Sequence, residues 1–129
     1  MKPLHPMPQQ TARLQIGRVF TSTEIARLRD GIPSTTTADP PRWTTVTDRD
    51  WIHIHRRASG FCIYSIRVEP DGSGYRFAEV VANRDPLQYK ETDDDKDARW
   101  LLWMIDRLVL GKDVLSPAHE DQRDAGRSP

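Results

Sequence analysis

The run WIHIHRRASGFCIYSIRVE, residues 51–69, decides how this chain folds. Its first part, Trp51-Ile52-His53-Ile54-His55, alternates bulky apolar and polar side chains, and alternation returns after Phe61. A period of two is the mark of a strand with one buried face. Between the two parts, Ala58-Ser59-Gly60 forms a three-residue hairpin loop, with glycine where positive φ is required. The loop predicts strands Trp51–Arg57 and Phe61–Glu69, with Arg57 opposite Phe61, His55 opposite Ile63, His53 opposite Ser65 and Trp51 opposite Arg67. Ile52, Ile54, Cys62, Tyr64, Ile66 and Val68 then share the other face. A one-residue slip would reverse either strand, so the coincidence of two apolar sets supports this register.

Downstream, Pro70-Asp71-Gly72-Ser73 turns the chain into a third strand at Tyr75–Asn83. Both of its faces are apolar. In one register Tyr75, Phe77 and Val81 meet the core; in the other Glu79 joins a polar row with His53 and Ser65. Upstream, the threonines and valine of Trp43–Thr47 predict a short edge strand ahead of the turn TDRD.

Two helices flank the strands. Thr21 and Glu24 form a capping box, Phe20 staples onto Ile25, and Gly31 with Pro33 ends a short helix over 22–30. The second begins at Asp93-Asp94-Asp95, where carboxylates favour the positive end of the helix dipole, and stops at Gly111. Ala98, Leu101, Leu102, Ile105, Leu108 and Val109 fall on one stripe, with Trp100, Trp103 and Arg107 pointing away. The expected fold is α+β in two layers: an antiparallel sheet of three or four strands with two helices packed on one face, in the order α-β-β-β-α. Residues 1–12 and 112–129 read as flexible tails around a single domain at 13–111.

That order resembles the double-stranded RNA-binding domains. The family sets lysines at the start of its last helix to hold phosphates, whereas this chain has Asp93, Asp94, Asp95 and Asp97 around a single Lys96. Such an acidic end repels a duplex, so double-stranded nucleic acid is not an expected partner.

Composition narrows the function further. Nineteen basic residues balance nineteen acidic ones, so there is no overall positive field. Cys62 is the only cysteine, which excludes an internal disulfide and a cysteine-rich zinc site. The opening MKPLHPMPQQ lacks the apolar stretch of a signal peptide, and the longest apolar run, Trp100–Ile105, is too short to cross a bilayer. A cytoplasmic protein without a membrane span is expected.

The face carrying Trp51, His53, His55, Arg57 and Arg67 is the expected ligand-binding surface. Trp51 offers a stacking plane, and the histidines and arginines offer donors for phosphate or carboxylate. The leading expectation is a small binding or regulatory domain for a protein partner or an anionic ligand. One alternative is a metal-dependent hydrolase in which His53 and His55 hold the ion and Asp48, Asp50, Glu79 or His119 completes the shell. The other is a single-stranded nucleic-acid module stacking bases on Trp51. No catalytic residue, metal or cofactor is assigned. A row His53–Ser65–Glu79 puts serine rather than histidine in the middle, Cys62 reads as packing, and phosphate-loop and dinucleotide motifs are absent. Trp100, Trp103 and Arg107 are the expected partner interface, with a second copy of the chain as one occupant.

Overall fold

The computed structural model describes residues 3–33 and 41–117. His119 and the rest of the C-terminal stretch, with most of the loop before Pro41, lie outside the described residues. Six strands are present: β1 (Thr11–Arg13), β2 (Val19–Phe20), β3 (Trp43–Asp48), β4 (Trp51–Arg56), β5 (Cys62–Asp71) and β6 (Gly74–Asn83). The helices are α1 (Ser22–Asp30), between β2 and β3, and α2 (Asp94–Met104), which runs into a π-helical turn at Ile105–Val109.

All strand pairs are antiparallel, in the order β1-β6-β5-β4-β3, and β2 also pairs with β6. The protein is therefore mostly sheet, with six strands and two helices among the described residues. This corrects the expected sheet of three or four strands with two helices on one face, and the order α-β-β-β-α with it. The additional strands come from residues 11–20 and are three and two residues long. Segments that short carry no readable alternation; backbone hydrogen bonds to β6 hold them, and any residue but proline can make those.

Ile52, Ile54, Tyr64, Ile66, Phe77 and Val80 of the sheet pack with Ile25 and Leu28 of α1 and with Leu101, Met104 and Ile105. The Thr21 hydroxyl accepts from the Glu24 amide and the Glu24 carboxylate accepts from the Thr21 amide, closing the capping box that starts α1. Phe20 is 1% exposed and stacks on Phe77 with ring centres 4.4 Å apart. Arg18 lies over the Phe20 ring and makes a two-pronged ion pair with Asp106 at 2.8 and 2.9 Å, tying the start of the chain to the π-helical turn.

Two bulges set which side chains face which way. The β4–β5 ladder pairs Trp51 with Arg67 and His53 with Ser65, but then runs from Ile54–Tyr64 to His55–Cys62, leaving Ile63 as an extra residue. The expected pairs His55–Ile63 and Arg57–Phe61 are corrected: Cys62 lies opposite His55, and the Arg56 amide bonds to the Phe61 carbonyl. Cys62 consequently leaves the core face it was expected to occupy, and its sulfur lies 3.5 Å from Ser65 Oγ. The second bulge leaves Ala78 unpaired between Arg67–Glu79 and Val68–Phe77. An extra residue reverses the alternation, so Phe77 and Tyr75 serve the core while Glu79 and Val81 lie on the opposite face. The two registers open in the sequence each hold for half of β6, with Glu79 beside Arg67 rather than Ser65.

Candidate functional site

The residues of the expected binding face do not stay together. Trp51 and His53 stack with parallel rings 6.0 Å apart, and His53 Nδ1 lies 2.7 Å from Ser65 Oγ. Arg67 continues the row beside Glu79 and reaches Glu69 at 3.5 Å. His55 is enclosed: it is 6% exposed, and its Nδ1–H donates to the Gly60 carbonyl at 3.1 Å. The N-terminal segment presses on the same hairpin loop, where the His5 amide also donates to the Gly60 carbonyl and the His5 ring rests on Phe61. Among the described residues, no group of three or more His, Cys, Asp and Glu side chains is placed to hold a metal ion.

Burial and the neighbouring His55 hold the His53 imidazole below its ordinary 6.5, against the opposing pull of Asp48. A base that protonates less readily in the folded chain favours folding while neutral. Folding stability should therefore weaken as pH falls through and below 6.5. Chemical denaturation at a series of pH values should show that slope in the wild type and a shallower one in His53→Gln; equal slopes would refute the assignment.

Arg57 lies elsewhere, in the wall of a cavity of about 1080 Å³ over the core face of the sheet, between the Trp43–Arg56 end of β3–β4 and α2. Trp43, Trp100, Trp103, Tyr64, Tyr89, Met104 and Leu108 supply its apolar and aromatic lining. Trp43 pairs with Arg56 across β3–β4, and the Arg56 guanidinium sits 5.6 Å from the Trp43 ring centre and 5.4 Å from that of Tyr89. Arg42, Arg57 and Lys96 are the other cationic groups in the wall, and Glu91 is its single carboxylate among the described residues. Glu91 Oε1 is buried without a hydrogen-bond partner among those residues.

Helix α2 presents its tryptophans inward. Trp100 and Trp103 meet edge to face at 5.5 Å, and Trp103 Nε1 donates to the Val114 carbonyl at 3.2 Å. The next turn closes by a bond from the Leu110 amide to the Ile105 carbonyl, one residue wider than an α turn. Leu108, within this turn, lines the cavity with Trp100 and Met104. Arg107, grouped with the tryptophans in the sequence, is exposed and outside the wall.

The floor rests on a fully buried carboxylate. Asp97 is 0% exposed, and its Oδ1 accepts from the hydroxyls of Tyr64 at 2.5 Å and Tyr89 at 2.7 Å. Its Oδ2 accepts from Arg84 Nη1 at 2.8 Å, while Arg84 Nη2 reaches Asp94. Burial, with the negative charge of Asp97 added, holds both tyrosine hydroxyls above their ordinary range, so they stay protonated as donors. The true cap of α2 is Asp93, which accepts from the Lys96 amide. In the sequence Asp97 reads as part of the acidic start of this helix, although its spacing to Leu101, Met104 and Ile105 places it on the buried stripe.

Compared with protein-family models, curated proteins and solved structures, the chain matches none of them. No helix among the described residues is long and apolar enough to cross a membrane.

Proposed function

We propose that this chain is a binding domain for an anionic ligand with an aromatic or apolar body, and that the ligand seats in the cavity between α2 and the Trp43–Arg56 end of the sheet. The observation that carries this reading is the composition of one wall: three tryptophans and two tyrosines interleaved with Arg42, Arg56, Arg57 and Lys96, against Glu91 as the single carboxylate among the described residues. Aromatic faces take up the body of the ligand by stacking, and guanidinium groups take up phosphate or carboxylate by charge-assisted hydrogen bonds. The volume suits a small molecule or a single inserted side chain. Glu91 Oε1 adds an acceptor for a ligand N–H or O–H. The leading class is therefore that expected from the sequence, a binding or regulatory domain, with the ligand moved from the Trp51–His53 face to the cavity. A reducing, cytoplasmic setting belongs to the proposal and is supported by Cys62, a buried free thiol.

Calorimetric titration with 1-naphthyl phosphate, 1-naphthol and inorganic phosphate tests it. The phosphate ester should bind, with the other two at least about tenfold weaker, because each engages half of the wall. Arg57→Ala should weaken binding of the ester by about tenfold, the value of one charge-assisted hydrogen bond, and Trp51→Ala should leave it unchanged. Binding lost with Trp51→Ala but kept with Arg57→Ala would return the site to the other face of the sheet. No binding of the ester at all would end the cavity reading.

A further inference from the structure

We infer that the outer edge of β3 is a self-pairing surface, on which a second copy of this chain adds its own β3 antiparallel to extend the sheet. β3 is the terminal strand of the sheet. The opposite edge is blunted by strands of three and two residues, but β3 offers six, Trp43-Thr44-Thr45-Val46-Thr47-Asp48, with no proline, no lysine and an unbroken register against β4. Proline, lysine and bulges are the usual protections of an exposed edge.

The direction of the backbone fixes which residues can pair. Asp48 and Trp51 flank the two-residue turn Arg49-Asp50, so they form the hydrogen-bonded pair that closes such a hairpin. Alternation then aims the amides and carbonyls of Thr44, Val46 and Asp48 at β4, and the bond from the Arg57 amide to the Arg42 carbonyl continues that pattern. Trp43, Thr45 and Thr47 aim theirs outward, where no other strand among the described residues receives them.

A twofold axis at Thr45 uses these outward groups. Thr45 meets the partner's Thr45, and Trp43 meets the partner's Thr47 on either side, which forms about six backbone hydrogen bonds at two per hydrogen-bonded pair. The pairs between them are Thr44 with the partner's Val46, a favourable β-branched match. One step further, Arg42 lies opposite the partner's Asp48, and symmetry repeats this ion pair at the other end. A shift by one residue sets Trp43 against Asp48 and aims inward groups at the partner, losing both charge pairing and hydrogen bonds. Arg42 lies just before β3, where its long side chain can reach either the cavity wall or the partner's Asp48.

The wild-type chain should sediment as a concentration-dependent dimer of about twice 14.9 kDa. Its Trp43, Thr45 and Thr47 amides should gain protection from hydrogen exchange as concentration rises. Arg42→Asp alone and Asp48→Arg alone each place like charges opposite one another twice, and each should be monomeric. Mixed, the two variants regain complementary charge at both ends and should form a heterodimer, which also shows that each has kept its fold. A wild type that stays monomeric at millimolar concentration would overturn the inference. So would a dimer that keeps those amides unprotected and dissociates only with Trp100→Ala or Trp103→Ala. Sedimentation and hydrogen exchange are read without ligand, and Asp48 lies outside the cavity wall, so failure here leaves the cavity reading standing, and the converse holds.

Discussion

Asp97→Asn should lower the unfolding free energy by about 3–5 kcal/mol, the usual cost of removing one partner from a buried charge pair. The substitution hardly changes volume, so the loss comes from groups left behind. Arg84, 12% exposed at its side chain, would face a neutral amide on its buried side and keep only the more exposed Asp94 as a carboxylate partner. The hydroxyls of Tyr64 and Tyr89 now converge on a single carboxylate oxygen and would share one weaker acceptor. Tyr64→Phe removes one donor and leaves the carboxylate its other two partners, so it should cost less, about 1–2 kcal/mol. Urea denaturation followed by far-ultraviolet dichroism measures both. If Asp97→Asn costs under about 1 kcal/mol, the carboxylate is not what holds α2 to the sheet.

Phe20→Ala should be comparably damaging, at about 3–5 kcal/mol, through the cavity it leaves against Phe77. The substitution tests the N-terminal contribution to the fold, because Phe20 belongs to a strand of only two residues. Its neighbour Val19 pairs with Arg76 in the same strand yet is 57% exposed, and Val19→Ala should change stability by less than about 0.5 kcal/mol. Equal effects at the two positions would show that residues 19–20 act through backbone pairing alone.

Much of the sheet's centre was legible because residues 51–69 repeat one physical signal. Alternation and a glycine-containing loop are local properties, and they fixed Trp51 against Arg67 and His53 against Ser65. The capping box of α1 was legible for the same reason. The strand count was not, since β1 and β2 owe their conformation to backbone bonds with β6, whose position follows only from the assembled sheet. The bulge at Ile63 escaped as well. The sequence around Ser59-Gly60 permits loops of either length, and the choice between them is settled by packing.

The candidate site was legible only in parts. Trp100 and Trp103 stood out as tryptophans off the expected apolar stripe, and they do line the cavity; Arg57 joins them from a strand that was expected to present it on the far side. Arg56 could have been found by parity, since alternation sets it with Ile52 and Ile54 on the core face. Asp97 carried a similar signal, an acid in phase with Leu101. The cluster of negative charge at the helix start offered a simpler explanation and masked it. The π-helical turn has no comparable signature, because it depends on how residues 105–109 meet α1 and Arg18.

The extra residue at Ala78 acts on the strand as a frameshift acts on a message. Every side chain beyond it reads out on the face opposite to strict alternation, so a strand that paired regularly through Ala78 would turn Glu79 and Val81 inward and Val80 and Ala82 outward at a stroke, whereas deleting Ala78 would keep the faces as they are. Substitution at Ala78 is mild by comparison, since its neighbours keep their places. For this stretch of β6, whether residue 78 is paired or skipped carries more structural information than its identity.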